Sequence, residues 1–216
     1  MAASERRIRI ISDLIIVGLM LTGLVLMLTN KDSGTGLTAD GIENLKFYTV
    51  LSNLFCGITA LVCLIYRAVT RKDELPSVLL FLKLASAAAV GLTFLVIAAF
   101  LGPIYGHLLL YRGSNLVFHL LEPLAGMADL CTIRTSPQKI PFWWTLAASI
   151  PTVIYGGTYL INILINGVGT WPEGNDWYGF LNWGMPVGIG IFAGITVSTF
   201  VMALILRAIN KAFNRR

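Results

Sequence analysis

Charge is scarce in this chain. Of its 216 residues only 12% are Asp, Glu, Lys or Arg, about half the share of a soluble domain, whereas 56% are hydrophobic and the mean hydropathy is +0.76. No polar block is long enough to form a soluble domain. There are two histidines, His107 and His119, and a catalytic zinc site usually takes three protein ligands, so no metal is expected. The three cysteines, Cys56, Cys63 and Cys131, all sit in apolar segments, and Cys56 and Cys63 fall two turns apart on one helix, too far apart to bridge. Without paired loop cysteines there is no disulfide framework, and the thiols read as small buried hydrophobes. A Gly-rich phosphate loop, a Walker-like lysine and an HExxH pair are also missing, which leaves ATP-driven chemistry unsupported; no cofactor is expected. Neither an internal repeat nor a low-complexity tract is visible.

What the chain does have is a succession of apolar runs, each long enough to cross a ~30 Å hydrocarbon layer as a helix. The runs predict six spans near residues 9–29, 45–69, 77–102, 114–131, 141–165 and 178–206, giving an all-α, polytopic membrane protein, a single six-helix bundle over residues 1–216. The basic start, Met1 to Arg9, resembles that of a signal peptide, but the following run ends in Thr29-Asn30-Lys31-Asp32 without an Ala-x-Ala-like site, so the first span is expected to be retained. Loop charge sets the expected orientation. Arg6, Arg7, Arg9, Arg67, Arg71, Lys72, Arg134, Lys139, Arg207, Lys211, Arg215 and Arg216 fall on one side, against Lys31, Lys46 and Arg112 on the other. That asymmetry predicts cytoplasmic termini, places the net charge of +5 against an anionic inner leaflet rather than nucleic acid, and suggests the plasma (cytoplasmic) membrane.

Several polar residues have structural readings. Asp13 is expected to pair with Arg9 or another basic group. Lys83 is expected to snorkel to the interface or to pair with Asp129. His107 reads as a solvated loop residue, and Trp143-Trp144 as an interfacial belt. The last span, with Pro186, Gly184, Gly188, Gly190 and Gly194, is expected to be broken at the proline and closely packed at its glycines.

One stretch stands apart: Ser114-Asn-Leu-Val-Phe-His119-Leu-Leu-Glu122-Pro123 puts a histidine inside an apolar span, which is a functional-site hypothesis by default. Asn115, His119 and Glu122, at i, i+4 and i+7, share one helical stripe. Counting ~1.5 Å per residue from the outer ends of spans two, four and six puts Thr49 roughly 6 Å deep, His119 about 7 or 8 Å and Asn182 about 6 Å. Lys46, Tyr48, Asn53, Asn115 and Trp183 stand nearest that layer, and Tyr159 and Asn162 of span five are within its range. A threonine hydroxyl needs a base, and neutral imidazole is the one side chain here with a suitable unperturbed pKa. Thr49 with His119 is therefore a candidate nucleophile and base for acyl transfer. The amides of Asn53, Asn115 or Asn182 are oxyanion candidates, and Glu122 either orients the imidazole or is a neutral, hydrogen-bonded carboxyl. Lys46, Tyr48, Tyr159 and Trp183 are candidates to line the substrate pocket.

Lys46-Phe-Tyr-Thr49 followed by Ser52 or Asn53, and Asn115-x-x-x-His119 followed by Pro123, resemble the paired motifs of the androgen-induced membrane threonine hydrolase family, of which this would be a bacterial-type relative. The resemblance implies a multi-span protein that cleaves fatty acid esters of hydroxy fatty acids, with Thr49 as nucleophile and His119 as base. The function expected is thus a membrane-embedded lipid ester hydrolase whose partners are membrane lipids or a fatty-acyl ester, with homo-oligomerisation left open. Two alternatives stay beside it: a small proton-coupled carrier with a relay of His119, Glu122 and Asp129 along span four, and a non-catalytic lipid-binding membrane protein.

Overall fold

The computed structural model describes residues 3–29, 41–106, 110–133, 140–170 and 174–214. His107, Lys31, Arg134, Lys139, Arg215 and Arg216 lie outside them. The described residues are helical and contain no strand.

Helix α1 runs Ala3–Thr29; a short 3₁₀ turn, Gly41–Lys46, leads into α2, Tyr48–Thr70; α3 is Ser77–Val96 and passes through a π-helical turn, Ile97–Leu101, into α4, Gly102–Tyr105. The predicted fourth span is also composite, with α5, Gly113–Leu116, a π turn, Val117–Leu121, and α6, Glu122–Thr132. Then come α7, Trp143–Ala147, α8, Ile150–Asn166, and α9, Met185–Phe213.

Proline explains the interruptions. Pro103 and Pro123 each follow the end of a π turn by two residues. A proline has no N–H for the carbonyl four residues back and its ring crowds that carbonyl, so the preceding turn opens by one residue. The carbonyl affected by Pro123 is that of His119. Pro151 likewise stands in the first turn of α8, after the break at Ala148 and Ser149. Pro186 has the opposite consequence from the one expected: it occupies the first turn of α9, where the missing N–H costs no hydrogen bond, and α9 continues unbroken to Phe213.

Five helical stretches among the described residues are long and apolar enough to span a membrane: 5–29, 48–70, 77–105, 143–166 and 185–213. The stretch at 113–132, the shortest of the six and interrupted by His119, Glu122 and Asp129, is not among them. Helix α3 is the central one. Its run Leu84-Ala85-Ser86-Ala87-Ala88-Ala89-Val90-Gly91 is buried on all sides, because small side chains let α2, α6 and α9 approach it closely. Outward faces of the peripheral helices carry exposed apolar residues, such as Leu14, Leu21 and Val25 on α1 and Ile189, Val197 and Ile205 on α9, as a lipid-facing surface requires.

At one end of the bundle lie the starts of α1 and α3 and the ends of α2 and α6, joined by buried ionic contacts, with the end of α9 beside them. Asp13, fully buried, accepts from Arg67 and from Lys83 Nζ at 2.6 Å, and Lys83 also pairs with Asp129. Lys83 thus pairs rather than snorkels. Asp13 finds Arg67 and Lys83 rather than Arg9, whose Nη1 donates instead to the Asp73 carbonyl at 3.4 Å. Two cations and two carboxylates offset one another across four helices, the arrangement under which buried charge is tolerated. This basic end is further tied by Asn210, whose amide donates to the carbonyls of Leu130 (2.8 Å) and Ile133 (2.9 Å).

Candidate functional site

At the opposite end, the chain enters α2 through Phe47, the extended N-cap residue, so Thr49 sits half-buried in the first helical turn. Its carbonyl is held twice, by Ser52 Oγ at 3.0 Å and by Asn53 Nδ2 at 2.7 Å, and Ser52 also bonds Thr93 Oγ1 of α3 at 3.1 Å. Asn53 Nδ2 makes a second bond, at 2.8 Å, to the carbonyl of Phe118. One buried amide therefore joins the turn that carries Thr49 to the π turn that carries His119.

His119 is buried, and its Nδ1 lies 2.8 Å from the carbonyl oxygen of Leu110. A carbonyl only accepts, so Nδ1 carries the proton and Nε2 keeps its lone pair, the form of imidazole that acts as a base. The neighbouring Phe118 ring packs against α1 at Gly23, where an added Cβ would overlap the ring. Met27, Val50 and Val117 complete an apolar cluster around it. No hydrogen bond among the described residues joins the Thr49 hydroxyl to the imidazole.

The supporting residues are placed less uniformly. Glu122 is fully buried, and neither carboxyl oxygen has a hydrogen-bond partner. It does not orient His119, since the Leu110 carbonyl has that position, nor is it the hydrogen-bonded carboxyl of the other expectation. Asn53 is a linker rather than an oxyanion donor: its amide is engaged by two carbonyls, and the atom left without a partner, Oδ1, can only accept. Asn182 is exposed in a turn that precedes α9, because that helix starts at Met185 rather than near residue 178, and this removes it from the layer. Trp183, 70% exposed in the same turn, leaves the pocket for the same reason. Asn115 stays half-buried in the short helix that precedes the π turn, four residues before His119.

Lys46, Tyr48 and Tyr159 do come together, within an aromatic group that sequence inspection missed. Asp176 accepts the amides of Phe180 (3.0 Å) and Leu181 (2.8 Å) and the hydroxyl of Tyr159, folding residues 176–184 back over the bundle. The Tyr178 hydroxyl accepts the amide of Tyr48 at 2.8 Å, in the first turn of α2, while the Tyr155 hydroxyl donates to the Lys46 carbonyl at 2.7 Å. Tyr48 bonds Thr152 at 2.7 Å, and Thr152 in turn bonds Thr199 of α9 at 3.1 Å. Lys46 Nζ lies 5.6 Å from the Phe47 ring centre and 5.9 Å from that of Trp177. Burial pushes the Tyr178 phenol well above its ordinary range, so it serves the cluster as a neutral hydroxyl. The available signal was the density of aromatics in Asp176-Trp177-Tyr178-Gly179-Phe180, which hydropathy alone assigns to a span.

Among the described residues, no group of three or more His, Cys, Asp and Glu side chains is placed to hold a metal ion. Asp129, the inner member of the suggested relay, is engaged by Lys83, and no hydrogen bond links Glu122 to either Asp129 or His119. Comparison of the chain with family models, curated proteins and solved structures finds no match.

Proposed function

We propose that this protein cleaves fatty-acyl esters within the membrane, using Thr49 as nucleophile and His119 as base, and that it does so as a six-span bundle with both termini cytoplasmic. The observation that carries the proposal is the Asn53 amide, which bonds the carbonyls of Thr49 and Phe118 and so ties together the two turns that carry Thr49 and His119. The Leu110 carbonyl supports it by fixing the imidazole tautomer, the role an aspartate has in a Ser-His-Asp triad.

In this mechanism His119 Nε2 takes the Thr49 hydroxyl proton as Oγ1 adds to the ester carbonyl. The tetrahedral intermediate collapses, the C–O bond to the alcohol breaks, and the imidazolium returns the proton to the departing alcohol. Water then adds to the threonyl ester with His119 again as base, which releases the fatty acid and restores the threonine. The amide of Thr49 has no acceptor among the described residues and sits in the first turn of α2, so it is an oxyanion donor together with the Asn115 side chain. Lys46, Tyr48 and Tyr159 line the approach from the aromatic side.

The test is covalent labelling of purified protein in nanodiscs with an alkyl fluorophosphonate, alongside a panel of lipid esters. The proposal expects the label on Thr49 by peptide mass spectrometry, and competition by the ester that is cleaved. Absence of ester turnover across the panel with no label on Thr49 would contradict it.

A further inference from the structure

The carboxyl of Glu122 is the least accommodated group in the described protein. It lies fully buried at the start of α6 and has no hydrogen-bond partner at either oxygen. An ionised carboxylate so placed costs far more than its acid form, which removes the charge at the expense of binding one proton. The surroundings differ sharply above and below it. Toward the Thr49 layer stand Phe118, Val117, Val50 and Met27, a close-packed apolar plug, and His119, one turn before Glu122, has its Nδ1 proton committed to Leu110. Toward the basic end a small cavity opens, bordered by Cys56, Thr59, Ser86, Gly126, Lys83 and Asp129. Gly126 is one turn beyond Glu122, and its missing side chain matters: a Cβ there would come within 2.7 Å of Cys56 Sγ. Cys56 and Ser86 both stand on the wall of this cavity, across from Gly126. The cavity ends on the ion cluster in which Lys83 joins Asp129 to Asp13.

We infer that Glu122 is a proton-binding site in the middle of the bundle, exchanging its proton with the basic end through the Cys56–Ser86–Thr59 cavity and not with the ester-cleaving layer. The hydroxyls of Thr59 and Ser86 both donate and accept, as a proton-passing file requires, and the cavity has room for about one water molecule between them. The charged groups on the cavity wall, Lys83 from α3 and Asp129 from α6, belong to the cluster that also holds Asp13 from α1 and Arg67 from α2; its two cations and two carboxylates offset one another, so a proton bound at Glu122 changes the net charge of the region by one. The inference does not depend on ester cleavage.

Infrared spectroscopy of the full chain in lipid nanodiscs tests it. The protein should show a protonated-carboxyl C=O band that disappears in Glu122→Gln and downshifts on transfer to D2O. Where Glu122→Gln does not fold, Glu122→Asp should move the same band to the position of a protonated aspartic acid. Ser86→Ala with Thr59→Val, which keeps the packing and removes both hydroxyls, should slow the D2O shift at least several-fold. A band unaffected by Glu122 substitution, or an exchange rate equal to the parent's in the double variant, would overturn the inference.

Discussion

At the scale of single residues, the proposed function turns on which atom holds the imidazole. Because the Leu110 carbonyl accepts from Nδ1, the base form of His119 is set by backbone and not by a neighbouring acid. His119→Ala should therefore lower ester cleavage by about 10²–10⁴-fold, the usual contribution of a positioned base, while Glu122→Gln, isosteric and touching neither reactive group, should leave kcat within a few-fold of the parent. Steady-state kinetics on folded variants check the pair, and a Glu122→Gln loss as large as that of His119→Ala would return the orienting role to the carboxyl. The sequence made His119 and Thr49 conspicuous, since a base and a hydroxyl at matching depth stand out in apolar helices. It could not distinguish Asn53 the linker from Asn53 the oxyanion donor, because that depends on which carbonyls its amide meets across the bundle. Asn182 falls outside the layer for a simpler reason: hydropathy starts the last span near residue 178, and the helix starts seven residues later, at Met185.

At the scale of elements, hydropathy located the long helices well, and proline accounts for most of what it missed. Pro103 and Pro123 produce π turns, and Pro186 starts a helix instead of breaking one. The run from Trp177 to Trp183 is apolar enough to imitate the start of a span, yet Asp176 folds it into a cap through two backbone amides and Tyr159. Lys83 and Asp129 were legible as partners because their positions near the same end of adjacent spans brought them within reach. The Arg67 partnership of Asp13 was not, since nothing local distinguishes Arg67 from Arg9. The resulting ion cluster links α1, α2, α3 and α6, so Lys83→Met should leave Asp129 without its cation and Asp13 with only Arg67, a loss of about 3–5 kcal/mol. Thermal unfolding in detergent should show a marked drop for Lys83→Met, and the double variant Lys83→Met/Asp129→Leu should recover part of it. Unchanged unfolding of Lys83→Met would mean that the cluster is not a structural tie.

At the scale of the whole molecule, the two ends of the bundle have different chemistry. One gathers Arg67, Lys83, Asp13 and Asp129 behind a basic surface, and the other gathers hydroxyls, aromatics and His119 around the first turn of α2. The proposed topology, with both termini cytoplasmic, expects cysteines introduced near Asp40 and Gly174 to label from outside with an impermeant maleimide, and those near Lys72 and Gln138 only after permeabilisation. The reverse pattern would invert the bundle. The central claim, that one layer of this bundle cleaves esters through Thr49 and His119, is tested most directly by a double-mutant cycle on ester turnover by purified, folded protein. Thr49→Ala and His119→Ala should each abolish nearly all turnover and the double variant should be scarcely worse than either, because a nucleophile and its base fail as a unit, while Thr49→Ser should keep appreciable activity. Thr49→Ala protein that still cleaves its lipid ester at the parent rate would contradict the account.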